Sequence, residues 1–304
     1  VSELQIEQVS RWYGNVVAVN DVTMTIGPGI TGLLGPNGAG KSTLINLLAG
    51  FLEPSTGSVK LDGTRIFGRD EVYRRIGLVP EREEMYDSIS GWQFVLANAQ
   101  LHGLADPTGA ARRAIETVDM TDAQERDVRT YSKGMRQRIK LATAIVHEPQ
   151  VLLLDEPFNG MDPRQRLHLM DVLREMGDAG RTVLFSSHIL EEVEQLATTI
   201  EVMVSGRHAA SGDFRAIRRL MTQRPHRYVV RSSADRALAA AVVGEDGTSA
   251  VELVGAELHV QVTDVARFSR VIVQAASSAG IRLHEVRPAD ESLESVFSYL
   301  VGHR

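Results

Sequence analysis

The sequence predicts an α/β fold: a parallel sheet, an antiparallel β part, an inserted helical subdomain, and a small α+β domain at the C-terminal end. Three observations predict it. Short, continuously apolar runs at 30–35 (ITGLLG), 151–155 (VLLLD) and 182–187 (TVLFSS) read as strands buried on both faces. Each is followed by a stretch of helical periodicity, and strand–helix alternation with buried strands builds parallel sheets. A glycine-rich turn joins the first of these strands to its helix.

In chain order, LQIEQV and VVAVNDVTMTI alternate apolar and polar residues and read as strands, with a turn at GPGI. The segment GKSTLINLLAGFL sets Leu44, Leu47 and Leu48 on one side of a helix, and EPSTGSVKLDGTRI returns through turns to strand. Residues 86–147 are mostly helical in pattern and form the inserted subdomain. VLLLD is then followed by the helix RQRLHLMDVLREMG, and TVLFSS by the helix HILEEVEQLA. A domain boundary is expected near TQRPHR, dividing a domain at 1–221 from one at 225–304. Beyond it the pattern is strand 227–232, helix 234–244, strands 249–254 and 257–263, helix 264–279, strand 281–287 and a last helix at 290–301. The order β-α-β-β-α-β is the ferredoxin-like split pattern.

Composition narrows the function. At 304 residues, with 43% hydrophobic and 24% charged residues, the chain is an ordinary globular protein of one large or two modest domains. A net charge of −6 provides no general basic field, so no nucleic acid partner is expected. The chain has no cysteine, which excludes disulfides and thiolate chemistry. Its longest apolar run, 237–244, falls well short of the ~18 residues needed to span a bilayer, so any membrane role is expected to come through a partner. The opening VSELQIEQVS lacks a basic stretch and an apolar core, and does not read as a signal peptide. Lysine stands only at 41, 60, 133 and 140; arginine supplies the other positive side chains.

The segment GPNGAGKST matches G-x-x-x-x-G-K-[ST] and sits between a strand and a helix, the context that makes such a match specific. Gly35, Pro36 and Asn37 begin the loop, and Gly38, Ala39 and Gly40 let backbone N–H groups curl around phosphate oxygens at a helix N-terminus. Lys41 reaches the terminal phosphates, and Ser42, followed by Thr43, offers a hydroxyl to Mg²⁺. The strand VLLLD ends on two carboxylates: Asp155 suits a Mg²⁺ shell, and Glu156 is placed to polarise an attacking water. The buried strand TVLFSS leads into His188. Ligands of parallel sheets bind at the carboxyl ends of strands, so the ends near 35, 155 and 187 are expected to converge on one site, with His188 on the γ-phosphate or the water. A second phosphate grip begins at Ser132, in TYSKGMRQRIK, where a helix-capping Ser is followed by free backbone N–H groups.

These segments, with NGMD at 159–162, resemble in order and spacing the ATP-binding subunits of ABC transporters over about residues 3–215. The form YSKGM and the tail DESLESVFSYLVG look most like the bacterial drug- or polymer-exporter branch, in which ATPase and membrane permease are separate chains. The resemblance implies a P-loop NTPase with a RecA-like parallel sheet, ATP and Mg²⁺ as ligands, and a cytoplasmic location at the inner membrane face through the permease. It further implies that Tyr13 stacks on adenine, with core packing as the other reading and Trp12 as a substitute. Ser132, Lys133, Gly134 and Met135 would touch the ATP held by a second copy of the chain in a head-to-tail dimer. Asn159, Gly160, Met161 and Asp162 would bridge the two nucleotide sites.

Two positions depart from the commonest pattern. Glu81 stands where a Gln usually meets Mg²⁺ and senses the permease; a carboxylate also ligates Mg²⁺, and a solvated acidic loop is the alternative. Lys133 stands where Gly is usual, either adding charge for the phosphate or as an exposed lysine. Residues 82–100 are expected to form the groove for a permease helix, with Met85, Tyr86, Trp92 and Phe94 as either interface or core. Arg136 and Arg138 are expected to be solvated or packed on the neighbouring subdomain, and the histidines beyond 225 show no ligand spacing. The function expected is ATP hydrolysis powering export through a separate permease. The rival is a soluble ABC ATPase in a regulatory, non-transport role.

Overall fold

The computed structural model describes residues 2–82, 85–213, 217, 226–255 and 257–289. The chain divides into two compact units, Val1–Phe214 and Arg215–Arg304.

Alternation drives the first sheet of the larger unit. Strands β1 (Leu4–Tyr13), β2 (Val16–Ile26), β4 (Thr56–Leu61) and β5 (Thr64–Arg65) pair antiparallel in the order β2-β1-β4-β5. Leu4, Ile6 and Val9 of β1 and Val22 of β2 turn into the core. The spacing from Ile6 to Val9 breaks the two-residue period, and the structure absorbs it with a bulge in which Gln8 has φ 49°.

The second sheet contains β3 (Gly29–Leu34), β6 (Ile76–Val79), β7 (Val151–Leu154), β8 (Thr182–Ser187), β9 (Thr199–Val204) and β10 (Arg207–Gly212). Their order is β10-β9-β3-β8-β7-β6, parallel except for the β9–β10 hairpin. Every residue of β7 and β8 is buried, as continuous apolar strands in a doubly covered sheet require. The register pairs Leu34 with Ser187, Phe185 with Leu154, and Leu154 with Val79. The residues that follow these strands, at 35, 188, 155 and 80, therefore emerge along one edge. Helices α1 (Lys41–Leu48), α2 (Asp70–Tyr73), α6 (Pro163–Asp178) and α7 (Leu190–Leu196) connect the strands.

The inserted helical part consists of α3 (Gly91–Leu101), α4 (Pro107–Thr117) and α5 (Lys133–Ile145), with 3₁₀ turns at Thr121–Ala123 and Val128–Thr130. Helix α3 starts in a reciprocal cap: Gln93 N donates to Ser90 Oγ at 3.2 Å, and Ser90 N donates to Gln93 Oε1 at 2.9 Å. Trp92, Phe94 and Met85 are half-buried, and Tyr86 is exposed. Arg136 pairs with Asp87 at 3.2 Å, and Arg138 donates to Asp119 O at 2.6 Å.

The smaller unit has β11 (His226–Ser232), α8 (Asp235–Val242), β12 (Thr248–Val254), β13 (Glu257–Val262), α9 (Val265–Ser278) and β14 (Leu283–Pro288). The sheet order β12-β13-β11-β14, antiparallel throughout, is the split βαβ arrangement expected from the sequence. Val230, Leu258, Val260 and Val262 meet Leu238, Phe268 and Ile272 in its core. The expected last helix at 290–301, and all of the expected boundary except His226 and Arg227, lie outside the described residues.

Candidate functional site

The glycine-rich turn leaves β3 and wraps to the start of α1. Gly38 and Gly40 have φ of 79° and 95°, a region open to glycine at little cost. A Cβ on Gly40 would lie 2.2 Å from Ala18 O, and one on Gly35 would lie 2.3 Å from Met203 O, so both positions also need glycine for space. The loop thus forms a tight cradle against β2 and β9. It lines a cleft of about 390 Å³ together with Val16, Val17, Glu81 and Glu156. The first-turn N–H groups of α1 have no intrahelical acceptor, and the helix dipole adds positive potential there.

Lys41 is 6% exposed. Its Nζ donates to Gly35 O at 2.8 Å and Pro36 O at 3.2 Å, and lies 3.3 Å from Glu156 Oε1. The other Glu156 oxygen, Oε2, meets His188 Nδ1 at 2.9 Å. Lys41, Glu156 and His188, from the ends of three elements, therefore form one contiguous polar cluster. Glu156 has φ 48°, unusual for a non-glycine residue, and is fixed there by Glu156 N donating to Ser186 Oγ at 2.8 Å.

Ser186 also donates to Asp155 Oδ1 at 2.7 Å, so one buried hydroxyl orients both carboxylate residues. No sequence motif singles out Ser186. The available signal is a pair of hydroxyl residues at the end of an otherwise apolar buried strand. The other, Ser187, donates to Glu192 Oε2 at 2.7 Å and accepts from Ile189 N at 3.0 Å. Burial pushes the Glu192 carboxyl up, against the lowering effect of the Ser187 hydrogen bond and Arg166.

Ser42, Thr43, Glu81 and Asp155 line a second cleft, of about 540 Å³, with Asn46, Phe51 and Pro80. A hydroxyl and two carboxylates form an all-oxygen donor set, the chemistry a hard divalent cation such as Mg²⁺ takes. Tyr13 ends β1 with its side chain 45% exposed and the Arg11 guanidinium 4.9 Å above its ring. Val16 and Val17, rather than Tyr13, line the phosphate-loop cleft.

Ser132 caps α5, its hydroxyl accepting from Met135 N at 3.2 Å. Gly134 faces Gln165: a Cβ there would lie 2.1 Å from Gln165 Oε1. The aliphatic stem of Lys133 lies over Gly160, so the turn Ser132–Met135, the signature turn, touches the segment 159–162 of the same chain. Asp162 closes that segment by capping α6, accepting from Gln165 N at 2.9 Å. None of Ser132, Lys133, Gly134 or Met135 lines the cleft formed by this chain's phosphate loop.

Comparison with known proteins decides the family. The chain is 32% identical over 303 residues to the daunorubicin resistance ATP-binding protein DrrA3 of Streptomyces coeruleorubidus, spanning 98% of this chain and 96% of the relative. The chain belongs to the ABC transporter family. The family description "ABC transporter" matches residues 19–159. Another relative is the bacitracin transport ATP-binding protein BcrA of Enterococcus faecalis, 29% identical over 302 residues and spanning 98% of this chain and 96% of that one. Among solved structures, an ATP-binding subunit of an ABC transporter superposes with a TM-score of 0.65 at 28% identity, covering 71% of this chain and 92% of that one. The cbiO1 protein of Clostridium perfringens gives 0.64 at 27% identity, covering 71% and 90%.

This ABC protein is thus an ATP-binding, ATP-hydrolysing transporter subunit. Among the described residues no helix is long and apolar enough to cross a membrane.

Proposed function

We propose that this subunit binds MgATP in the phosphate-loop cleft, hydrolyses it as a head-to-tail homodimer, and powers export through a separate membrane permease at the inner face of the membrane. The Lys41–Glu156–His188 cluster at the strand ends carries the reading. Glu156 Oε accepts a hydrogen bond from the attacking water and draws off its proton as the water oxygen bonds to the γ-phosphorus and the bond from that phosphorus to the β–γ bridging oxygen breaks, with ADP as the leaving group. His188 Nδ1–H donating to Glu156 fixes the imidazole, and a hydrogen on Nε2 as well, as in the imidazolium, would let that nitrogen donate to a γ-phosphate oxygen. A triphosphate in the cradle gives Lys41 new anionic partners and frees Glu156 for the water. Ser42, Asp155 and Glu81 would hold Mg²⁺, which when bound neutralises phosphate charge. Tyr13, next to the cleft wall at Val16, remains the candidate adenine stack.

The signature turn supports the dimer. Ser132 and Gly134 make a helix-terminal anion grip outside this chain's own cleft, so the phosphate they suit is one held by another copy. ATP then acts as a ligand of the closed pair, and loss of the γ-phosphate shifts the population back. The contact of the Lys133 stem with Gly160 supports a role for the segment 159–162 in linking the two nucleotides.

The permease reading is supported by Phe51, 71% exposed, which lines both the 540 Å³ cleft and a neighbouring one of about 470 Å³ with Tyr73, Leu78, Asn98, His102 and His147. Glu81 lines the larger of these clefts, and both have walls of mixed apolar and polar residues around Phe51 and Leu78, suited to an amphipathic helix. Relatives named for daunorubicin resistance and bacitracin transport support an exporter of antibiotic-like substrates. The test is Mg²⁺-dependent phosphate release by the purified chain: it is expected in the wild type and lost in Glu156→Gln. Equal release from both would remove Glu156 from the chemistry.

A further inference from the structure

Lysine is scarce in this chain, and Lys140 is 5% exposed inside α5. An ammonium is buried only where hydrogen bonds replace its water. Lys140 Nζ donates to Pro80 O at 2.6 Å and lies 3.4 Å from both Glu81 O and Arg82 O. Three carbonyls of the turn after β6 thus converge on one cation. That turn carries Glu81, which lines both clefts at the phosphate loop.

The same helix makes a second tie one turn earlier. Gln137 Nε2 donates to Glu156 O at 3.4 Å, and Gln137 is buried. Positions 137 and 140 are i and i+3, on one face of a continuous helix. That helix begins at the Ser132 cap and rises about 10 Å from Lys133 to Lys140. One rigid element therefore joins the signature turn, the backbone of Glu156 and the turn of Glu81.

We infer that Lys140 is a positioning residue: it fixes the Glu81 turn to the signature helix, so that nucleotide contact at Ser132 and the metal-facing geometry of Glu81 move together. This rests on the proposed roles of Glu81 and the signature turn. A carbonyl fork needs a multi-donor cation, so Arg can replace Lys140 and Met, though of similar length, cannot.

The experiment measures ATP hydrolysis and, separately, equilibrium ATP binding of the full chain against Mg²⁺ concentration for Lys140→Met, Lys140→Arg and Glu81→Ala, and for the double variant Lys140→Met/Glu81→Ala. Lys140→Met is expected to raise the half-saturating Mg²⁺ about 10-fold, the size typical of lost support behind a metal ligand. Lys140→Arg should recover most of that loss, and in the Glu81→Ala background Lys140→Met should add less than about 2-fold. Wild-type Mg²⁺ dependence in Lys140→Met, even with a lowered unfolding midpoint, would assign Lys140 to packing and overturn the inference. So would a full Lys140→Met effect persisting in the Glu81→Ala background. An unchanged Mg²⁺ dependence in Glu81→Ala alone would overturn the metal role of Glu81 and the role of Lys140 with it.

Discussion

His188 Nδ1 lies 2.9 Å from Glu156 Oε2, while the other oxygen of that carboxylate faces Lys41 at 3.3 Å. Each Glu156 oxygen thus has its own partner, and the imidazole is fixed by the residue proposed to activate water. His188→Ala is expected to lower kcat by roughly 10²-fold, in the range of positioned acid–base groups, and to change the KM for ATP by less than about 3-fold. Steady-state phosphate release across ATP concentrations checks it. A rise in KM at constant kcat would make His188 a binding residue only.

Gly40 and Gly38 share a positive φ, but only Gly40 meets a wall: a Cβ added there would stand 2.2 Å from Ala18 O. Gly38→Ala should cost about 1 kcal/mol of backbone strain. Gly40→Ala should cost at least ~2 kcal/mol and abolish ATP binding, because β2 must shift. Denaturant unfolding and nucleotide titration separate the two. Equal losses would refute the close-packed cradle.

Ser186 joins Asp155 Oδ1 to the backbone of Glu156 through a hydroxyl with no solvent exposure. Removing it leaves a buried N–H without its acceptor, a cost of about 1–3 kcal/mol. Ser186→Ala should also lower kcat more than it lowers ATP affinity, since both carboxylates lose their bracing. Unfolding curves and ATP kinetics measure the two effects.

His147 stacks on His102 with ring centroids 3.8 Å apart, and donates from Nε2 to Ile76 O at 3.2 Å. Burial first, then the charge of His102, pushes His147 down from its ordinary 6.5 to about 4. The unfolded chain takes up this proton near pH 6.5 and the folded chain only near pH 4, so the contribution is complete above pH 6.5 and lost as pH falls towards 4. With its partial exposure discounted, the loss is on the order of 1–2 kcal/mol. His147→Gln should flatten this part of the stability curve between those pH values, as measured by urea unfolding at a series of pH values.

The parallel strands were legible because doubly buried strands need unbroken apolar runs, as in Val151–Leu154. The phosphate loop was legible because its conformation demands glycine at fixed places, which Gly35 and Gly40 satisfy sterically. The ties that organise the site were not. Ser186 looks like any strand residue until its neighbours Asp155 and Glu156 arrive from β7. Lys140 and the Pro80–Arg82 carbonyls are about sixty positions apart, and only the packing of α5 on β6 brings them together. The bulge at Gln8 likewise follows from pairing, since local alternation gives no hint of a positive φ. Tyr13 marks a different limit. The resemblance assigns it to adenine, while the cleft wall beside it is built by Val16 and Val17.

On the proposed reading the grip at Ser132 completes a site on a second copy of the chain. The direct measurement is the mass in solution of Glu156→Gln at saturating ATP, with and without Ser132→Arg. The expected result is a dimer that forms with ATP, dissociates when ATP is removed, and fails to form when Ser132→Arg is added. A Glu156→Gln chain that binds ATP yet stays monomeric, or a dimer indifferent to Ser132→Arg, would contradict it.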